Sequence, residues 1–491
     1  MRSLAMKIAI SLCLLLPGIA SAQQDPVDFP SSPSGQLLKL LLESLNSGDE
    51  SKWTEFIADH WKPSEDPQMS QRRLGLFRMV YDDTRGLLLH DVMASDDLSI
   101  SALLKVKEPQ AEVEWVDFTL YVDSTDTGKV AMVSVREGED PKYRVPDVRL
   151  SDSEIVEFLD MYIGDLVADD QFSGTVLIAR DGKPFYKRVH GVACKRYDVP
   201  NRIDTRFNLG SMNKMFTGVA IMQLVEQGKL SLDDKVGKYL PDIPRKEIAD
   251  KVTIHQLLTH TSGMQDYWEE MFDGEFWRIK SVSQLAELVF DDSLLFEPGT
   301  DFHYSNSGPI VLGLIIEKVS GMDYFDYIHD NIYESAGMIG SGCFEVDTPV
   351  ENVAIGYTKA GYDGEILPPG VWHNNFFMHA VKGGPAGGGY STVEDLLAFD
   401  QALRNNILMS RESFELMTTG RVDRNADVSY AYLIQDQQVN GQRIIGHAGG
   451  APGINAMLDM YLDSGYTVAV MANYDGAAVR VGRKIRELLT E

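Results

Sequence analysis

The sequence predicts an α+β protein built from two folding units behind a short leader. Helical periodicity gives way to strand-like alternation over residues 23–148. A charged stretch carrying prolines and a glycine then interrupts the chain. Beyond it, from residue 149 to 491, strand patterns at both ends enclose a mostly helical middle. With 491 residues, 44% of them apolar, the chain is long enough for more than one hydrophobic core.

Residues 1–22 have the pattern of a signal peptide. Arg2 and Lys7 form a charged start, residues 8–16 an apolar stretch, and Ala20-Ser21-Ala22 a small-residue cleavage site. That stretch is about half the roughly 18 residues a membrane span needs before Pro17 and Gly18 interrupt it. The mature chain is therefore expected to start near Gln23, in the periplasm or outside the cell, without a membrane span. Cys13 leaves with the leader, and Cys194 and Cys343 read as two separate thiols. The formal charge is −28, and residues 1–22 remove two bases and no acid, so the mature chain carries −30. Such a surface repels phosphate backbones and anionic lipid, which excludes nucleic acid as an expected partner.

In chain order, Leu37, Leu38, Leu41, Leu42 and Leu45 recur at helical spacing before Gly48. Strand-like runs follow at 99–104 and 118–122, with turn signals at 126–128. This order resembles the small cone-shaped domains related to cystatins and nuclear transport factors. Residues 136–149 hold Gly138, Pro141 and Pro146, the composition of a linker, and the boundary is placed between 148 and 149. Ser151 and Glu154 form a capping-box pattern ahead of the stripe Ile155, Phe158, Leu159, Tyr162, Ile163 and Leu166. Strands at 175–179 and 184–189 flank the hairpin signal Asp181-Gly182. Helical patterns cover 212–227 and 310–319. Strands return at 443–446, 456–462 and 467–472, and a helix closes the chain at 479–489. Strands at both ends imply one sheet assembled from the two ends of the unit.

Three short motifs carry chemistry. In Gly210-Ser211-Met212-Asn213-Lys214, just ahead of a helical stretch, Ser211 and Lys214 lie one turn apart on one face. An alcohol becomes a nucleophile when a base takes its proton, and a lysine serves as that base when neutral, a form that burial and the positive end of a helix favour. The bland alternative is an N-cap serine beside a solvated lysine. In Tyr304-Ser305-Asn306, the phenol is suited to relaying protons and Asn306 to holding a substrate amide or carbonyl; the alternative is a turn in which Asn306 caps the next helix. In His447-Ala448-Gly449-Gly450, the small residues let a substrate backbone lie along a strand edge. There the Gly450 N–H completes an oxyanion hole with that of Ser211, and His447 offers a donor or a pH-sensitive charge. A satisfied structural histidine is the alternative for His447, and Lys382-Gly383-Gly384 is a rival for this third role.

Taken together, the order S-x-x-K, Y-x-N, H-x-G resembles the serine β-lactamase and penicillin-binding-protein family, in its class C β-lactamase, esterase and D-aminopeptidase branch. Leu257-Leu258-Thr259-His260-Thr261-Ser262-Gly263 and the segments 387–392 and 446–453 add to the likeness, which covers roughly residues 150–491. The resemblance implies an antiparallel sheet flanked by helices with a mostly helical subdomain. It also implies acyl-enzyme chemistry with Ser211, Lys214 and Tyr304 as catalytic groups and Asn306, His447, Gly449 and Gly450 lining the substrate cleft. No metal or cofactor is implied, and the expected partner is a small-molecule or peptide substrate. β-Lactamases usually carry a lysine where His447 stands, so an ester, amide or D-amino-acid peptide bond is the expected target. A true β-lactamase and a catalytically silent binding or sensing protein are the alternatives. The sequence has no G-x-S-x-G elbow, H-E-x-x-H motif or G-x-x-x-x-G-K-[ST] loop.

Overall fold

Helix-forming stripes and alternating strands resolve, in a computed structural model, into two units divided between Arg144 and Val145, each with its own apolar core. The structure describes residues 27–108, 113–146, 148–267, 278–290, 293–361, 365, 367–368 and 370–490. The leader read at residues 1–22 lies outside them.

The first unit begins with Pro33–Leu45, whose N-terminus is capped by the Ser32 hydroxyl on the Gly35 N–H at 3.2 Å. All five leucines of its predicted stripe are buried. Two further helices, Glu50–His60 and Met69–Thr84, were not evident in the sequence. They bury only Trp53, Phe56 and Ile57 in one and Phe77, Val80 and Thr84 in the other, so charged residues mask the period. Four antiparallel strands then follow in spatial order, Leu87–Ser95, Ser99–Val106, Trp115–Asp123 and Asp126–Glu137. The turn expected at 126–128 falls two residues earlier. The Asp123 carboxylate accepts from the Thr125 N–H at 2.8 Å and closes the chain there.

The second unit opens with the helix Asp152–Ala168, and its capping box is present. Its main sheet has, among the described residues, eight antiparallel strands. Their order is Val422–Asp423, Val428–Tyr430, Gln435–Val439, Gln442–Ala451, Ile454–Tyr461, Tyr466–Ala472, Gly174–Arg180 and Lys183–His190. Gly174–Arg180 pairs with Tyr466–Ala472, so the sheet is built from both ends of the unit, as the strand pattern implied. The amphipathic helix Ala477–Thr490 and the helix Val393–Arg404 pack on it. The helix Lys214–Glu226 is buried throughout most of its length, with Ser307–Ser320 against it. Among the described residues, no helix is long and apolar enough to cross a membrane. Cys194 and Cys343 are both free thiols.

Candidate active site

The nucleophile turn is fixed by backbone packed directly on backbone. After the strand Phe207–Asn208, which pairs with Tyr390–Ser391, the chain passes through the 3₁₀ turn Gly210–Asn213 into Lys214–Glu226. Gly210 has φ +50°, and a Cβ there would stand 2.8 Å from the Gly450 nitrogen. Gly449 is confined from the opposite side, where a Cβ would stand 1.9 Å from the Leu209 carbonyl oxygen and 2.8 Å from the Ser211 nitrogen. The Ser211 and Gly450 amides therefore border one seam. Gly446 is the last residue of Gln442–Ala451 paired to Gln435–Val439, so from His447 onward that strand pairs on one side only. Gly450 and Ala451 on this half-free stretch line a cleft of about 490 Å³ together with Ser211, Tyr304 and Asn306.

Lys214 is fully buried, with Nζ 3.0 Å from Ser211 Oγ, 2.6 Å from Asn306 Oδ1 and 2.6 Å from the Ala386 carbonyl oxygen. Two of these three neighbours can only accept. All three neighbours can accept from this nitrogen, and when it is deprotonated two N–H groups serve Asn306 and Ala386 while the lone pair faces the Ser211 hydroxyl. The Tyr304 ring centroid lies 4.9 Å from the same nitrogen.

The loop 383–389 also clamps the nucleophile helix. The carbonyls of Gly384, Pro385 and Ala386 accept from Asn213 Nδ2 at 2.8 Å, Thr217 Oγ1 at 2.8 Å and Lys214 Nζ at 2.6 Å. Three successive acceptors thus meet three side chains at the start of one helix.

Asn306 lies in the cleft wall but neither caps Ser307–Ser320 nor leaves its amide open to a substrate. Its Oδ1 accepts from Lys214, and its Nδ2 donates to the Asp266 carboxylate at 3.0 and 3.2 Å. Lys382, the rival in the third motif, lines the cleft with Nζ 3.4 Å from Glu345 Oε1 and 4.1 Å from the Phe325 ring centroid.

His447 departs furthest from expectation. It is buried behind the cleft, with Nε2 3.1 Å from Tyr430 Oη, and that hydroxyl is also 3.1 Å from His260 Nε2. The ends of this chain set its polarity. The Ala448 carbonyl, 2.5 Å from His447 Nδ1, can only accept, and the Ser305 N–H, 3.3 Å from His260 Nδ1, can only donate. Hence Ser305 N–H donates to His260, His260 to Tyr430, Tyr430 to His447 and His447 to Ala448, with both imidazoles neutral. The wire ties the Tyr304-Ser305-Asn306 loop to the strand that carries Gly449 and Gly450.

Burial, and secondarily the Lys214 amino group, pushes His447 from 6.5 down to about 4, and His260 is driven well below its ordinary value by the same causes. Between pH 6.5 and 4 the unfolded chain binds a proton that folded His447 refuses, so its contribution to stability falls as pH drops through that window. The expected loss from His447 alone is on the order of 3 kcal/mol. Thermal midpoints measured across this range should fall more steeply for the wild type than for His447→Gln; parallel slopes would show that the wire does not hold His447 neutral.

The sequence model described as Beta-lactamase matches residues 159–490. The chain belongs to the beta-lactamase family. It is similar to a penicillin-binding protein of Bacillus subtilis (strain 168), 32% identical over 315 residues that cover 62% of this chain and 68% of the relative. The crystal structure of a penicillin binding protein from Bacillus halodurans superposes with a TM-score of 0.61 at 32% identity, covering 66% of this chain and 99% of that one. A D-stereospecific amidohydrolase from Streptomyces sp. superposes with a TM-score of 0.57 at 25% identity, covering 69% and 98%. The resemblance read from the three motifs is thus borne out, and the beta-lactamase-family unit has the fold expected of it. These relatives agree with serine hydrolase chemistry in general terms. Within this unit Ser211, Tyr304, Asn306 and Gly450 converge on the cleft, with Lys214 beneath Ser211. Gly449 wedges behind the nucleophile turn, and His447 points away into the core. Asp266, Ala386, Tyr430 and His260 were not singled out as site residues by sequence. His260 had a signal in its place in the segment 257–263, and Ala386 in its place in the glycine-rich stretch 383–389.

Proposed function

We propose that this chain is a serine hydrolase that cleaves an ester, amide or D-amino-acid peptide bond through an acyl-enzyme on Ser211. In this reading Lys214 Nζ takes the Ser211 hydroxyl proton as Oγ attacks the carbonyl carbon, and the Ser211 and Gly450 amides hold the oxyanion. As the tetrahedral intermediate collapses, the leaving amine or alkoxide departs with a proton relayed through Tyr304. Water then attacks the ester carbonyl, passes its proton to the same base, and Ser211 leaves reprotonated. The observation that carries the reading is Lys214 Nζ, buried 3.0 Å from Ser211 Oγ with acceptors for two N–H groups. A true β-lactamase is less well supported, because the position where a lysine would meet the substrate carboxylate holds a neutral histidine turned into the core. The signal-peptide pattern of residues 1–22 supports a periplasmic or extracellular site for this activity.

The test is turnover of a p-nitrophenyl ester, a D-alanyl amide and a chromogenic cephalosporin by the wild type and Ser211→Ala. Hydrolysis of the ester or amide that disappears in the variant is expected, with the cephalosporin the poorest of the three. Absence of Ser211-dependent turnover and acylation across the panel would favour the silent binding protein instead.

A further inference from the structure

Tyr304 is held through both of its neighbours in the chain by a single residue, His260. The His303 N–H donates to the His260 carbonyl at 2.9 Å, and the Ser305 N–H lies 3.3 Å from His260 Nδ1. Between these two bonds the Tyr304 ring packs on the His260 imidazole, with 4.5 Å between centroids. His260 is buried and has φ +57°, a left-handed conformation uncommon for a residue with a side chain, so the surrounding fold holds it there. The far edge of the imidazole is fixed by Tyr430, whose hydroxyl lies 3.1 Å from His260 Nε2 and 3.1 Å from His447 Nε2. Tyr430 is itself buried on Val428–Tyr430, a strand paired on both sides, so this hydroxyl is presented from a rigid element. The Tyr430 ring also meets that of His260 at 4.8 Å and that of Tyr304 at 6.3 Å. Tyr304 lines the cleft, whereas His260 and Tyr430 stand behind it.

We infer that Tyr430 is a positioning residue for Tyr304, acting through His260: its hydroxyl locks the imidazole on which the relay phenol packs. This rests on the serine hydrolase reading above and adds to it a group set back from the substrate. Without the hydroxyl, His260 Nε2–H loses its acceptor and His447 Nε2 its donor, both in a buried setting, and the His260 ring is free to turn toward other partners. The Tyr304 ring then loses the surface that sets its direction. A misplacement of about 1 Å in such a group costs up to about a hundredfold in rate. Since Tyr304 serves departure of the leaving group, the loss falls on substrates whose leaving group has to take a proton. The other end of the wire has a different signature. A shift of His447 moves the strand that carries the Gly450 amide, and that slows every acylation alike.

The experiment compares kcat/KM for p-nitrophenyl acetate, whose phenolate leaves without a proton, and ethyl acetate, whose ethoxide needs one. The proteins are the wild type, Tyr430→Phe, Tyr304→Phe and the double variant. The ratio of the ethyl to the p-nitrophenyl value should fall about tenfold to a hundredfold in Tyr430→Phe, and at least as far in Tyr304→Phe. In the double variant it should fall no further than in Tyr304→Phe alone, because the hydroxyl acts through that phenol. A smaller folded fraction or a shifted oxyanion strand affects both esters and cancels in the ratio. In the wild type, where no variant has to fold, nitrogen–proton correlation spectra at neutral pH should show His260 protonated on Nε2 and His447 on Nδ1. An unchanged ratio in Tyr430→Phe, a further fall when the two substitutions are combined, or both imidazoles protonated on Nε2 would overturn the inference. An unchanged ratio alongside Ser211-dependent turnover of p-nitrophenyl acetate would leave the hydrolase reading standing while the positioning role falls. Absence of any Ser211-dependent turnover removes both.

Discussion

Lys214→Ala should lower kcat/KM by about three orders of magnitude on any substrate that acylates Ser211, because a positioned general base contributes roughly 10²–10⁴ and the substitution also disturbs its surroundings. The buried ammonium or amine has three contacts, and all three go at once. Ser211 Oγ loses its proton acceptor. Asn306 Oδ1 and the Ala386 carbonyl lose their donor in a buried setting, which costs about 1–3 kcal/mol for each unsatisfied group. The loop 383–389 keeps only its ties to Asn213 and Thr217. Lys214→Arg separates the two effects. A guanidinium supplies donors and charge but does not give up a proton, so Arg should restore stability more than activity. The measurement is steady-state kinetics with thermal midpoints on the same preparations. An alanine variant within tenfold of the wild type would remove Lys214 from the chemistry.

Gly449→Ala should cost about two to three orders of magnitude in kcat, the range associated with losing one oxyanion-hole donor. Its effect is geometric. A methyl group there would stand 1.9 Å from the Leu209 oxygen, far inside contact distance, and 2.8 Å from the Ser211 nitrogen. Either the strand Gln442–Ala451 or the turn after Phe207–Asn208 must withdraw, and each carries one of the two amides. Beyond Gly446 the strand has a partner on one side only, so little holds it in place against the intrusion. Its partner Ile454–Tyr461 is buried throughout, so the fold itself should survive. KM on a small ester should move far less than kcat. A variant with wild-type kcat would show that the two amides are not where the oxyanion forms.

Local patterns were the legible part of this sequence. The capping box at Ser151, the hairpin at Asp181-Gly182, the closing strands and the helix Ala477–Thr490 all follow from spacing within a short window. So did the nucleophile turn, since Ser211 and Lys214 are three residues apart. The helices Glu50–His60 and Met69–Thr84 escaped because three buried residues apiece, set among charges, give a weak period. The rest of the site was hidden for a different reason. Asp266 meets Asn306 across 40 residues, Tyr430 meets His260 across 170, and Ala386 meets Lys214 across 172. Such contacts depend on the tertiary fold, which a local window does not contain. The role expected of His447 failed on the same ground, because Tyr430, which turns it inward, lies on a neighbouring part of the sheet.

The central claim is that Ser211 is acylated with Lys214 as its base, and the most direct measurement is the mass of the protein stopped during turnover of an activated ester. The account predicts an adduct with the mass of the acyl group, mapping to the peptide that contains Ser211. It should form much more slowly in Lys214→Ala and be absent from Ser211→Ala. An adduct on another residue, or turnover undiminished in Ser211→Ala, would contradict it.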